Sequence, residues 1–284
     1  MSRNEEQNLQ GKTALITGAG SGIGLALATA LASERTHLIL VGRSRDKLNA
    51  VAKKIKTSAV SDTICHACDL GDPFQLEGLI ESLEHSFESI DMLIHSAGDF
   101  CMGSFSSLPV DRLDHLFRVN LRAPFRLTQG LLPLLRVNQG EVVFINSTAA
   151  LHASPNWAAY SAIKAGLEML ADSIRTELDE QGIRVLSVYP GRTATPMQKE
   201  IHRLENRTYN PEGLLQPEDI ADQIVHILRM PKTAEVADLV ILPRKKNVLH
   251  LNESHMQSPC CPRLKERTQC FAQPARPATH NPPG

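Results

Sequence analysis

Short apolar runs alternate along the chain with longer segments of helical period. The runs are Thr13–Ile16, His37–Val41, Thr63–Cys68, Asp91–Ile94, Glu141–Ile145, Arg184–Val188 and Val236–Leu242, each rich in Val, Ile or Leu. An unbroken apolar run of this length suits a strand buried on both faces, as in a parallel sheet. Between the runs the pattern predicts helices at Gly22–Ser33, Arg45–Lys56, Pro73–Phe87, Val110–Arg136, Asn156–Gln181 and Pro217–Arg229. Leu76, Leu79, Ile80 and Leu83 mark one face of the third helix, and Leu167, Leu170, Ile174 and Leu178 one face of the fifth. Pro217 followed by Glu218 and Asp219 is a favourable first turn, with acids near the positive helix end. Strands alternating with helices imply βαβ units with right-handed crossovers. The expected fold is α/β: a single doubly wound domain with a seven-stranded parallel sheet and helices on both faces, over residues 1–243.

Composition changes this picture only at the end of the chain. Of 284 residues, 42% are hydrophobic and 21% charged, which excludes a disordered or fibrous chain. No apolar run approaches the ~18 residues of a membrane helix, and the N-terminus has no apolar signal core. A net charge of −1 gives no electrostatic ground for a nucleic-acid or membrane partner. After Pro243, however, stand seven Lys/Arg against two Asp/Glu, six of the 17 Pro and three of the six Cys. Residues 244–284 are therefore expected to be a basic, poorly ordered tail; the competing reading is a tail that binds a partner. Six Cys without a secretory signal suggest reduced thiols in a cytoplasmic protein. Cys65-His66-Ala67-Cys68 has no second CxxC to complete a metal site, and no metal is expected.

Thr17-Gly18-Ala19-Gly20-Ser21-Gly22-Ile23-Gly24 follows the first strand and opens the first helix. Glycines there let the backbone turn tightly and approach a pyrophosphate, while the helix N-terminus faces the anion with free N–H groups. The strand before and the helix after supply the context that a lone glycine pattern lacks. A Rossmann-type dinucleotide-binding turn is expected here, against the rival reading of a plain tight loop. The second strand ends at Gly42, where an NAD-preferring site usually places Asp or Glu; Arg43, Ser44 and Arg45 follow. A guanidinium and a hydroxyl suit a 2′-phosphate that a carboxylate would repel. NADP(H) is therefore expected over NAD(H), against the rival reading of Arg43 as a solvated loop charge.

Tyr160 and Lys164 stand four apart in the fifth helix and so share a face. A free phenol, with a pKa of ~10, is too weak an acid for neutral pH; the neighbouring ammonium is expected to lower it. Ser147, at the end of the fifth strand, can polarise the carbonyl oxygen that Tyr160 protonates. Each residue alone is ordinary; together with a dinucleotide turn they are specific.

In these motifs the chain resembles a short-chain dehydrogenase/reductase over roughly Gly11 to Pro243. The matching residues are the TGxxxGIG turn, Asp69-Leu70 after the third strand, Ala97-Gly98 after the fourth, Asn120, Ser147, Tyr160, Lys164, and Pro190-Gly191 after the sixth. The resemblance implies that Asp69 contacts the adenine and that Ala97 and Gly98 line the adenosine ribose. It implies that Asn120 holds a water relaying protons to Lys164, which also bonds the nicotinamide ribose. Pro190, Gly191, Thr193 and Thr195 are placed at the carboxamide. The family's Asn-Asn-Ala-Gly reads His95-Ser96-Ala97-Gly98, a departure at the first two positions. The family also implies a substrate pocket near Phe100, Met102, His152, Trp157, Met197 and Ile201, mostly apolar, and assembly as a dimer or tetramer.

The expected activity is interconversion of a carbonyl and an alcohol on a small, apolar substrate, by hydride transfer with Tyr160 as acid/base. One alternative is a non-catalytic NADP(H) sensor, which would not need Ser147, Tyr160 and Lys164 together. Another is an extended nucleotide-sugar epimerase, for which the segment after Pro190 is too short.

Overall fold

Seven strands build one parallel sheet in the order β3-β2-β1-β4-β5-β6-β7. They are β1 (Thr13–Thr17), β2 (His37–Gly42), β3 (Thr63–Ala67), β4 (Met92–His95), β5 (Glu141–Ile145), β6 (Arg184–Pro190) and β7 (Asp238–Ile241). The computed structural model describes residues 7–56 and 62–244. The expected tail therefore lies, from its second residue on, outside the described residues. Among the described residues eight α-helices connect the strands: α1 (Gly22–Ser33), α2 (Arg45–Lys56), α3 (Pro73–Ser86), α4 (Val110–Phe117), α5 (Ala123–Val137), α6 (Ala158–Leu178), α7 (Pro196–Leu204) and α8 (Pro217–Leu228).

The apolar runs work as the two-period of a strand demands. Ala14, Ile16, Leu38, Leu40, Val143 and Ile145 point to one face and pack with α1, α2 and α8. Leu15, Ile39, Val41, Val142 and Phe144 point to the other and pack with α3, α5 and α6. Both faces are buried, so the strands carry no polar alternation. The sheet is doubly wound, as expected. β1 pairs with β2 on one side and β4 on the other. Successive crossovers leave in opposite directions at that point, and a crevice opens beyond the carboxyl ends of β1 and β4.

Two elements depart from the sequence pattern. The expected helix Val110–Arg136 is interrupted by a π-helical turn at Arg118–Arg122. Pro124 has no N–H to offer the Asn120 carbonyl four residues earlier, and the Ala123 N–H reaches back to the Arg118 carbonyl instead. The segment after β6, where the pattern predicts no helix, contains helix α7. Its start is well signalled: Thr195 caps it, accepting from the Gln198 N–H at 3.1 Å, and Pro196 fills its first position.

α6 is fixed to the sheet by Arg175. Its guanidinium donates to the carbonyls of Val185 at 2.9 Å and Ala237 at 3.0 Å, and pairs with Asp172 at 2.7 Å.

His95, at the end of β4, belongs to this core. Its ring stacks on Phe144 with centroids 4.9 Å apart, and Nε2 lies 2.8 Å from Thr128 Oγ1. Complete burial pushes its pKa down to about 3, against an ordinary value of 6.5. The unfolded chain therefore takes a proton between pH 6.5 and 3 that the folded chain refuses. Its contribution to stability is full above pH 6.5 and is lost as pH falls through that window. We predict that urea-unfolding free energy, measured across this range, falls less steeply in His95→Asn than in wild type, by up to about 1.4 kcal/mol per pH unit. Parallel pH profiles would contradict this assignment.

Candidate active site

The glycine turn sits at the mouth of the crevice. Gly18 has φ +69°, and a Cβ there would stand 2.8 Å from the Ala97 Cα, so only glycine lets β1 approach the strand end of β4 this closely. Thr17 fastens the same junction: its Oγ1 accepts from the N–H groups of Ser96 and Ala97, each at 3.1 Å. Ser21 opens α1 without spending its side chain as a cap, and no acid stands in the helix's first turn. Uncapped N–H groups and the helix dipole therefore face outward past Gly20, Ser21 and Gly22. Ile23 packs against the α1 side of the core, and Gly24 is buried beneath the turn. Thr195 reaches this turn from beyond β6, its methyl beside Gly22.

At the outer end, Arg43 is exposed and makes no hydrogen bond or ion pair among the described residues. The Ser44 hydroxyl accepts from the Lys47 N–H at 3.4 Å, while Arg45 turns away to the Cys65 carbonyl. Lys47, which the sequence pattern did not single out, lays its stem against Gly20. Its signal was available only as a third cation after β2. Asp69 is engaged locally: Oδ1 accepts from the Gly71 N–H at 2.9 Å, and its own N–H donates to Gln75 Oε1 at 3.0 Å. Leu70 is buried on the α3 side of the core.

The catalytic candidates converge beyond β5. Ser147 follows the strand and caps a short 3-10 turn at Thr148–Ala150, accepting from the Ala149 N–H at 3.1 Å. Its hydroxyl is a hydrogen-bonding neighbour of the Tyr160 phenol. Lys164 lies on the same face of α6, Nζ 5.9 Å from the Tyr160 ring centroid. That ammonium is buried, donates to the Ile145 carbonyl at 3.0 Å, and has no carboxylate partner among the described residues. Asn146, unflagged by the sequence, locks α6 to β5 by donating from Nδ2 to the Lys164 carbonyl at 3.1 Å.

The electrostatics correct one expectation. Lys164 does not bring the Tyr160 pKa down. Burial dominates and pushes it up to about 12; the Ser147 hydrogen bond opposes this, and the Asp99 charge adds to it. Burial also brings Lys164 down to about 8. In a site this desolvated, the loss of water around the anion outweighs an ammonium standing off the ring.

Asn120 is buried in the π-helical turn and its side chain is engaged at both ends. Oδ1 accepts from the Asp99 N–H and Nδ2 donates to the Asp99 carbonyl, both at 2.8 Å. It thereby fixes the loop of Ala97, Gly98 and Asp99. On the opposite wall, the Pro190 carbonyl accepts from Thr148 Oγ1 at 3.4 Å, and Thr193 Oγ1 donates to the Gly191 carbonyl at 3.0 Å. Of the expected pocket residues, Phe100 and Trp157 gather around Tyr160, with Trp157 edge-on to the phenol at 5.5 Å and Phe100 6.5 Å from Trp157. Ile201 is buried in α7, Met102 and Met197 are half-buried, and His152 is exposed.

An anionic dinucleotide fits these residues: open N–H groups at α1, a partnerless guanidinium at Arg43, and spare donors on Lys164. Among the described residues no group of His, Cys, Asp and Glu is placed to hold a metal, and no helix is long and apolar enough to cross a membrane.

Comparison with known proteins agrees with this geometry. The short chain dehydrogenase family model matches residues 12–206. Glycine betaine reductase ATRR of Emericella nidulans is 33% identical over 246 residues, covering 84% of this chain but only 19% of that protein. An uncharacterized oxidoreductase of Staphylococcus aureus is 30% identical over 238 residues, covering 83% of this chain and 98% of its own length. Among solved structures, a metagenomic short-chain oxidoreductase in complex with NADP is 27% identical with a TM-score of 0.72, covering 84% and 100% of the two chains. L-sorbose reductase from Gluconobacter frateurii, complexed with NADPH and L-sorbose, is 25% identical with a TM-score of 0.77, covering 85% and 99%. The family match, the parallel sheet and the convergence of Ser147, Tyr160 and Lys164 lead to one conclusion: the chain belongs to the short-chain dehydrogenase/reductase family, oxidoreductases that act on alcohol and carbonyl groups with a nicotinamide nucleotide.

Proposed function

We propose that the protein is an NADP(H)-dependent oxidoreductase that interconverts a carbonyl and an alcohol on a small, apolar substrate, with Tyr160 as acid/base. The observation that carries this reading is the buried, unneutralised Lys164 on one helix face with a phenol that neighbours the Ser147 hydroxyl.

When bound, the cofactor supplies or accepts the hydride. The protein's residues handle the oxygen and its proton. In the reducing direction Ser147 donates a hydrogen bond to the carbonyl oxygen, and Tyr160 gives that oxygen the phenolic proton as negative charge builds. Lys164 keeps two donor directions beyond its bond to Ile145, which would serve ribose hydroxyls, and holds positive charge near the phenol. In this reading Asn120 holds the water that returns protons to Lys164; its carbonyl takes no bond from Pro124, which has no N–H, and this favours that role. The α1 N-terminus would hold the phosphates. Asp69 would meet the adenine, Ala97 and Gly98 the ribose, and Pro190, Gly191, Thr193 and Thr195 the carboxamide. Phe100 and Trp157 beside the phenol favour an apolar carbonyl compound.

The preference for the 2′-phosphate rests on Arg43, exposed and without a protein partner, beside the Ser44 hydroxyl; Lys47 adds a second cation at the turn.

Two measurements check this reading. In Tyr160→Phe, NADPH oxidation over a panel of ketones and aldehydes is expected to fall by about 10² to 10⁴-fold, with NADPH binding by fluorescence titration unchanged; full activity would overturn the acid/base role. In Arg43→Glu, the Kd for NADPH is expected to rise about tenfold or more while that for NADH changes little. Equal affinity of the wild-type protein for the two nucleotides would overturn the phosphate role.

A further inference from the structure

Helix α7 belongs to an excursion of the chain that leaves β6 and returns at α8. A backbone clasp closes its base. The Gly191 N–H donates to the Ile241 carbonyl at 2.8 Å, the Leu215 N–H to the Arg192 carbonyl at 3.1 Å, and the Ala194 N–H to the Leu215 carbonyl at 2.7 Å. Thr193 and Leu215 form an isolated parallel bridge in the same clasp. The far end of α7 is tied back to this segment by a side chain. The Arg192 guanidinium reaches 13 residues along the chain and grips the Glu205 carboxylate with both arms, Nη1 to Oε2 at 2.8 Å and Nη2 to Oε1 at 2.7 Å. Glu205 is the residue that closes α7, its N–H bonded to the Ile201 carbonyl at 2.9 Å. At the other end of the helix, the capping Thr195 lays its methyl beside Gly22 of the glycine turn.

This pair is not an ordinary surface contact. Its side chains are 13% exposed at Glu205 and 28% at Arg192, and the two-armed geometry fixes both groups. Burial pushes the Glu205 carboxyl up, but the Arg192 hydrogen bonds and charge bring it below its ordinary value, so the pair is ionised at neutral pH. The neighbouring cation does not replace Arg192: Arg207 stands 3.9 Å from Oε2, beyond hydrogen-bond reach. Arg203 and Glu200 also pair, but they are 67% and 45% exposed and connect α7 to itself.

We propose that Arg192 and Glu205 are positioning residues for the nucleotide: their ion pair latches α7 and residues 191–195 beside the glycine turn, and the latch sets how long NADP(H) stays bound. The inference rests on the cofactor reading of the site and goes beyond it, assigning nucleotide retention to two side chains that no motif singles out. Arg192 stands between Gly191 and Thr193, so an unlatched Arg192 loosens the main chain on both sides of it. An unlatched Glu205 frees the end of α7, and with it the Thr195 contact to the turn. Losing the latch raises the population of the open form, which quickens release far more than it changes association.

The test compares wild type with Arg192→Gln, Glu205→Gln, Arg192→Lys and Arg203→Gln as full-length chains. Two rates are read: amide hydrogen exchange over residues 196–205 without nucleotide, and NADPH dissociation by stopped-flow fluorescence with excess NADP as the displacing ligand. Arg192→Gln and Glu205→Gln are each expected to quicken both rates by about tenfold. Arg192→Lys, which keeps the charge and loses one arm, is expected to fall between them and wild type. Arg203→Gln is expected to leave both rates unchanged. A merely structural role would lower Tm in Glu205→Gln and leave NADPH dissociation where it was, which would overturn the retention role. Exchange and dissociation both unmoved in Glu205→Gln would overturn the latch altogether. A wild-type protein that binds no NADPH would sink the cofactor reading and the retention role with it, while quickened exchange in Glu205→Gln would still uphold the latch on α7.

Discussion

An ammonium buried without a carboxylate to balance it is a liability of several kcal/mol, and Lys164 is such a group. Its one carbonyl partner, at Ile145, satisfies a single donor. The surrounding structure is organised to keep it there. Asn146 ties the Lys164 backbone to the end of β5, and Arg175 ties the same helix to β6 and the approach to β7. The parallel sheet supplies the rigid floor, because strands buried on both faces leave α6 little freedom to shift. A fold that tolerates this charge gains a donor aimed at a bound nucleotide and a positive field beside the phenol.

Tyr160 feels two opposing fields. Lys164 favours the phenolate; burial and Asp99 favour the phenol. In the chain alone the phenol wins. That balance makes Tyr160 a proton donor at rest, which suits carbonyl reduction. The π-helical turn has a second purpose. By placing Asn120 inward, the turn anchors the Asp99 backbone and with it the loop after β4.

Much of this was legible in the sequence because it depends on local spacing. The glycine turn, the Tyr160–Lys164 pair and Ser147 at a strand end are short-range patterns, and the strand runs declare a sheet buried on both faces. What escaped depends on contacts distant in sequence. His115 is an unremarked helix residue until α4 docks and brings it to Asp99, sixteen positions earlier. The π-helical turn has a local cause in Pro124, but its use becomes visible only with the Asp99 backbone beside it. The sign of the Tyr160 shift could not be read from a spacing of four, since spacing reports neighbours and not hydration. Helix α7 is different: Thr195, Pro196 and Gln198 spell a helix start within the sequence itself.

Lys164 is retained for chemistry at a cost to folding. Replacing it with Met, similar in volume and uncharged, separates the two. Thermal unfolding and NADPH-dependent turnover measured side by side on Lys164→Met should show a raised Tm with turnover lost. A lowered Tm, or turnover that survives, would contradict the claim that this buried charge serves the reaction.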